Sequence, residues 1–168
     1  MQKIDKQFVC RQFRRAAASY DRQATIQHRV ADRLLGMLVP YVTPEPLRVL
    51  EIGCCTGLLT GKLLQSDIKV GSLLLNDLMP DFAERLPQNL AVDELGFLPG
   101  DIEKLSLPGS FDLIISSSTF HWLHSPRLGA PPGAPPHPVL LSGKKGQNGQ
   151  HAPHQQTWKS ETPSPAQA

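Results

Sequence analysis

Apolar residues recur with a helical period up to Pro40 and as short unbroken runs from Leu47 onward, and this switch predicts the architecture. In the segment DKQFVCRQFRRAAASY, residues 5–20, the side chains Phe8, Val9, Phe13, Ala16, Ala17 and Tyr20 fall on roughly one helical face, with Arg11, Arg14 and Arg15 elsewhere. A second helix is expected from about Ala24 to Val39, where Val30, Ala31, Leu34, Leu35 and Leu38 keep helical spacing until Pro40 stops it. Thr43–Pro46 is a short, stiff connector. Beyond it the pattern alternates. Leu47–Ile52 reads as a buried strand, followed by a helix from about Gly57 to Gln65 with Thr56 as its N-cap. Val70–Leu75 is a second strand, ending on Asn76 and Asp77, and Pro80 suits the first turn of a helix carrying Phe82, Ala83 and Leu86. A weaker strand surrounds Leu95–Leu98 and is closed by Pro99-Gly100-Asp101; Phe111–Ile115 is a fourth, running into Ser116, Ser117 and Ser118. Such alternation predicts an α/β domain over residues 47–124, with a parallel sheet and right-handed crossovers. The two leading helices, with no strand between them, predict a helical lid over residues 1–46.

From about Ser125 to Ala168 the pattern fails. Nine of the 16 prolines lie there, Glu161 is the sole acid, and the one apolar run is Val139–Leu141. A segment of that composition buries too little surface to offset its chain entropy, so residues 125–168 are expected to be a disordered tail.

Composition narrows the class of partner. A net charge of +2 implies no obligatory nucleic-acid or membrane partner, and no run approaches the length of a membrane span. Three cysteines, two of them adjacent at Cys54 and Cys55, make a poor disulfide framework. The N-terminus lacks the apolar core of a signal peptide, since charges recur at Lys3, Asp5, Lys6 and Arg11. These features fit a protein of the reducing cytoplasm, and a monomer.

The candidate chemistry lies at the carboxyl ends of the strands, where parallel sheets bind ligands. In LRVLEIGCCTGLLT, residues 47–60, Glu51 precedes a turn bracketed by Gly53 and Gly57. Such a turn brings backbone N–H groups and the positive end of a helix to a ligand with little side-chain bulk, although close strand–helix packing also selects glycine. Asp77 follows Gly57 by 20 residues, at the end of the next strand, where an acid accepts both ribose hydroxyls of an adenosine ligand. A helix-capping role before Pro80 is the alternative. Gly100-Asp101-Ile102 follows the third strand, where Asp101 would accept from an adenine amino group and Ile102 would pack on the ring, unless this is a plain turn.

The segments VLEIGCCTG, LLLNDL, PGDIE and FDLIISSSTFHW resemble the successive motifs of class I S-adenosylmethionine-dependent methyltransferases. With FRRAAASYDRQATIQ and VADRLL before them, they resemble in particular the malonyl-acyl-carrier-protein O-methyltransferases of biotin synthesis, over roughly residues 8–124. The resemblance implies a Rossmann-like sheet, of which four strands are legible, and S-adenosyl-L-methionine as cofactor. It implies that Glu51 and the turn of Gly53, Cys55 and Gly57 hold the methionine part, that Asp77 takes the ribose, and that Asp101 with Ile102 takes the adenine. Ser116 would line the sulfonium side, with Tyr20 and Gln27 closing over the cofactor from the lid, or packing there as ordinary lid residues. His121 and Trp122 fall in the family's aromatic-rich substrate loop; a solvated histidine and a core aromatic are the plain alternatives. The substrate implied is an acyl carrier protein bearing a malonyl thioester, or malonyl-CoA. Arg11, Arg14 and Arg15 would meet an acidic carrier or form a solvated helix face.

No catalytic residue and no metal site is nominated, because a carboxylate is already a nucleophile at neutral pH and needs alignment and loss of hydration more than a base. Two departures from the family stand out. Cys55 occupies a position where glycine is usual, which strains the chain if that backbone needs a positive φ; a reactive thiol is the other reading of it. The family's sheet has seven strands, and the resemblance stops after the fourth. The expectation is a truncated or frame-shifted chain, whose fourth strand forms an open sheet edge. An inactive cofactor-binding remnant and a nicotinamide-dependent oxidoreductase are the competing functions, the latter wanting a G-x-G-x-x-G turn absent here.

Overall fold

A computed structural model describes residues 4–87 and 90–124, together with the backbone of two short segments further on. Helices α1 (Lys6–Gln23) and α2 (Thr25–Leu38) lead into strands β1 (Leu47–Ile52), β2 (Val70–Asp77), β3 (Glu94–Pro99) and β4 (Leu113–Ser117), with helix α3 (Leu58–Leu64) between β1 and β2. β1 pairs in parallel with β2 and β4, and β2 with β3, giving the order β3-β2-β1-β4. The register aligns Ile52 with Asn76, Asp77 with Pro99 and Glu51 with Ile115, so the carboxyl ends of all four strands open onto one edge.

Both faces of the sheet are covered, and the alternation along each strand shows how. Leu47, Val49, Leu73, Leu75, Leu113 and Ile115 point to the face carrying α3. There they meet Leu59 and Leu63 of α3 and Ala31, Leu34, Leu35 and Leu38 of α2. Leu50, Ile52 and Ile114 point to the other face, against Ile102, Phe111 and the partly buried Leu107, Phe120 and Leu123.

Of the two leading helices, α1 lies along the strand-end cavity and α2 packs into the main core. Its stripe of buried leucines, each contributing on the order of 2 kcal/mol when removed from water, is too apolar to stand over an open cleft. Asp32 of α2 and Lys62 of α3 seal the same contact at 2.5 Å. The residue preceding α3 is Gly57, not Thr56, because the turn needs φ +82° there. Leu86 and Pro87 pack over Gly57, where an added Cβ would sit 2.9 Å from Pro87 Cδ, so the helix start is covered. The turn at Pro80 is a 3₁₀ segment, Pro80–Arg85, which tucks Phe82 against Met79.

Within residues 125–168 two short strands are described. Pro138–Ser142 forms strand β5, parallel to β4, and Gln155–Thr157 forms β6, antiparallel to β5. β4 is therefore not an open edge: its unpaired N–H and C=O groups are satisfied by the one apolar run of the tail, Val139–Leu141. The rest of 125–168 lies outside the described residues.

Candidate functional site

The strand ends and α1 line an open cavity. The sheet side of it begins with the turn after β1. Gly53 N and Cys54 N both donate to Asn76 O, at 2.7 and 3.0 Å, and Gly57 N donates to Cys54 O at 2.9 Å. This path forces φ to +73° at Gly53 and +51° at Cys55. Gly53 tolerates no side chain on a second count, since a Cβ would lie 2.0 Å from Thr119 Oγ1 and 2.8 Å from Thr119 Cβ. Cys55 adopts the left-handed backbone without being glycine, so the strain anticipated from the sequence is present.

Asp77 is the hinge between this turn and the next. Its Oδ2 accepts from Cys55 N and its Oδ1 from Met79 N, each at 2.9 Å. Burial pushes its pKa up, and the hydrogen bonds from Met79 and Cys55 oppose that. Leu78 N–H faces the same carboxylate, so of its about four acceptor positions three are engaged by the main chain and one remains for a hydroxyl donor. Asp77 thus caps its own turn and still lines the cavity. Asn76 beside it donates to Leu98 O and Gly100 O, at 2.8 and 3.1 Å, tying β2 to the turn that carries Asp101.

The other wall is α1. Lys6, Val9, Cys10 and Phe13, spaced i, i+3, i+4 and i+7, line the cavity. The stripe is rotated from the expected one: Phe8 is 51% exposed, and the side chains of Ala16, Ala17 and Tyr20 lie outside the described residues. Lys6 Nζ contacts Asp101 Oδ1 at 2.5 Å and also Glu103 Oε2. Phe13 meets Trp122 edge to face, with ring centroids 6.2 Å apart.

Of the expected site residues, Gly53, Cys55, Asp77, Asp101 and Ile102 are brought together on this cavity. Glu51, Gln27, Gly57 and Ser116 do not line it. Glu51 is 1% exposed behind the turn, accepts a hydrogen bond from Thr60 Oγ1 at 2.8 Å, and has its pKa pushed up to about 8 by burial. Ser116 is sealed too, its hydroxyl donating to Ile52 O at 2.8 Å and pinning β4 to β1; Ser117 and Ser118 line the cavity in its place. Gln27 sits partly exposed on α2, and the side chain of His121 lies outside the described residues. Sequence reasoning missed Lys6, Cys10 and Asn76. Only Asn76 carried a signal, an amide beside the expected ribose acid.

Among the described residues no helix is long and apolar enough to cross a membrane, and no cluster of three or more His, Cys, Asp or Glu could hold a metal ion.

Residues 50–129 match the family model described as a methyltransferase domain. The crystal structure of the N-methyltransferase NodS from Bradyrhizobium japonicum, in complex with S-adenosyl-L-homocysteine, superposes with a TM-score of 0.58 at 20% identity, over 78% of this chain and 70% of that one. The shared fold and the match over residues 50–129 liken the chain to the S-adenosylmethionine-dependent methyltransferase family. Within it, the chain is similar to the malonyl-[acyl-carrier protein] O-methyltransferase of Chlorobium phaeovibrioides, 43% identical over 125 residues, which are 71% of this chain and 48% of that protein. The protein of the same description from Anoxybacillus flavithermus is 39% identical over 124 residues, 74% of this chain and 46% of its own length. The chain spans about half the length of the curated relatives it matches.

Proposed function

We propose that the cavity binds S-adenosylmethionine and that the chain serves methyl transfer to the free carboxylate of a malonyl thioester on an acyl carrier protein, or of malonyl-CoA. One observation carries the reading: the register of β1, β2 and β3 sets the turn at Gly53–Cys55, Asp77 and Asp101 around a single cavity. Asp77 retains acceptor capacity for a ribose hydroxyl, Asp101 presents a carboxylate to an adenine amino group, and Ile102 supplies the apolar wall beside it. The names of the curated relatives support the acyl acceptor and the carrier protein as partner.

The cofactor supplies an electrophilic methyl group on a cationic sulfur. The residues of this chain bind and orient. Ser117 and Ser118 close the strand end next to the turn, and Phe13 with Trp122 shields that region from water. A substrate carboxylate is ionised at neutral pH, so no side chain needs to remove a proton. Ser116 and Glu51 take supporting roles in this reading, holding β4 and α3 to the turn. We place the reaction in a reducing cytoplasm, with Cys10, Cys54 and Cys55 as free thiols.

Isothermal titration with S-adenosylhomocysteine, S-adenosylmethionine and NAD tests the binding half, and transfer of labelled methyl to malonyl-acyl carrier protein or malonyl-CoA tests the activity. Binding of both adenosyl ligands with labelled methyl ester formed is the expected result. Binding of NAD alone overturns the reading. Binding without transfer to either acceptor overturns the activity half.

A further inference from the structure

The cluster that joins α1 to the sheet sets Lys6 between two carboxylates, Asp101 and Glu103, where the adenine is expected. Lys6 Nζ lies 2.5 Å from Asp101 Oδ1 and also contacts Glu103 Oε2. Lys6 and Asp101 both line the cavity, with side chains only 18% and 14% exposed. The cluster is built from both chain segments. Glu103 N donates to Asp101 Oδ1 at 3.2 Å, His124 N donates to Glu103 Oε2 at 3.1 Å, and Ile4 N donates to His124 Nε2 at 3.1 Å. Lys6 is therefore not a loose surface lysine but is anchored on two carboxylates.

We propose that Lys6 is a second specificity residue of the adenine site, donating to N1 of the ring while Asp101 accepts from the neighbouring amino group; this rests on the cofactor reading above. The argument is one of donor and acceptor counts. An ammonium has three N–H donors, of which Asp101 and Glu103 take two, leaving one for the cavity. A carboxylate has about four acceptor positions, and Lys6 Nζ and Glu103 N use two on Asp101. The pair therefore offers an acceptor and a donor side by side. The Watson–Crick edge of adenine offers the complement, the amino donor beside the N1 acceptor. A lone carboxylate would read only the amino group.

The placement couples recognition to closure. Lys6 stands at the start of α1, the same helix that brings Val9, Cys10 and Phe13 to the cavity. A ring held by Asp101 and Lys6 bridges the sheet wall and the lid wall.

The test uses the full 168-residue chain and two ligands, S-adenosylhomocysteine and its 1-deaza analogue, in which N1 is replaced by C–H. The wild-type chain is expected to bind the analogue about tenfold more weakly, the scale of one hydrogen bond to a charged group. In Lys6→Met, S-adenosylhomocysteine should weaken about tenfold and the difference between the two ligands should vanish. Equal affinity of the wild type for both ligands overturns the proposal, and that result stands whether or not the variant folds. An undiminished preference in Lys6→Met also overturns it, and makes Lys6 a clamp for the lid alone. If the wild type binds neither ligand, the cofactor reading itself has failed and this proposal goes with it.

Discussion

The cavity has two walls of different origin. The sheet wall is set by main-chain geometry: three N–H groups of the turn after β1 are bonded to carbonyls of the turn itself or of Asn76, and Gly100 N donates to Asp77 O at 2.7 Å. The lid wall is attached by side chains. Its contacts include Lys6 on Asp101 and Glu103, Arg14 on Asp81 at 2.9 Å, Phe13 on Trp122, and Cys10 with Phe13 against Met79 and Phe82. The Arg14–Asp81 pair is more than half exposed and is worth little. An aromatic pair adds about 1 kcal/mol beyond its area. We therefore expect the sheet wall to last as long as the domain and the lid wall, attached by side chains, to open without unfolding the sheet. Substitutions in the sheet wall should change stability and ligand binding together; those in the lid should change binding with little effect on stability.

The harshest test of this contrast is Gly53→Ala. The new methyl meets the Thr119 Cβ at 2.8 Å, which no rotamer relieves, on a backbone at φ +73°. Strain and overpacking together predict a loss of about 3–5 kcal/mol in urea unfolding, a large part of a domain's margin. Gly61→Ala is the control: a Cβ there meets nothing within 4 Å, and the helix should gain roughly 0.5–1 kcal/mol. A Gly53→Ala chain as stable as wild type breaks the claim that main-chain geometry fixes this wall.

Glu51 sharpens the same point through pH. Its pKa moves from 4.5 to about 8 on folding because burial disfavours the ionised form, against the bond from Thr60. Between those values the folded chain keeps a proton that the unfolded chain has released. Its contribution to stability is complete below pH 4.5 and falls as pH rises toward 8, by on the order of 1 kcal/mol per pH unit. Thermal unfolding from pH 5 to 8 should show this decline, and Glu51→Gln, neutral at every pH, should flatten it. A wild-type chain with no decline over that range refutes the sealed, protonated carboxyl.

How much of this was legible in the sequence follows the division between walls. The four sheet strands, the turn and the acids at 77 and 101 were readable because each needs a particular residue type: glycine where φ is positive, a carboxylate where N–H groups converge. Glu51 and Ser116 carried the same marks, yet both are sealed, Glu51 against Thr60 of α3 and Ser116 against Ile52 O of β1. The lid was poorly readable. Lys6, Val9, Cys10 and Phe13 are ordinary helix residues, and the sequence pattern favoured a face including Phe8 that the structure leaves exposed. That α2 would join the core depended on α3 being available to pack against it, a long-range pairing no local period encodes. The strand at Val139–Leu141 was hidden in proline-rich surroundings and is defined by the edge it meets.

Cys55→Gly probes strain in the sheet wall. Removing the side chain relieves a left-handed backbone, worth about 1–2 kcal/mol, and forfeits part of the packing of Cys55 against Met79 and Phe82. The net expectation is a gain of about 1 kcal/mol in unfolding free energy, with tighter adenosyl-ligand binding as bulk leaves the cavity. A loss of stability means that the thiol packing outweighs the strain.

The smallest effect is the most informative about the lid. Phe13 and Trp122 meet at 85° between ring planes, one from α1 and one from the segment after β4, and both line the cavity. In a double-mutant cycle, Phe13→Leu and Trp122→Leu should couple by only about 0.5–1 kcal/mol in unfolding free energy. In binding of S-adenosylhomocysteine, the same cycle should couple more strongly, because the pair closes the cavity only when both rings are present. The dissociation rate should carry the difference, since a lid held by separable contacts controls escape more than encounter. Coupling that is equal in stability and in binding would mean that α1 is as much a part of the domain core as α2, and the two walls would then differ in sequence but not in mechanics.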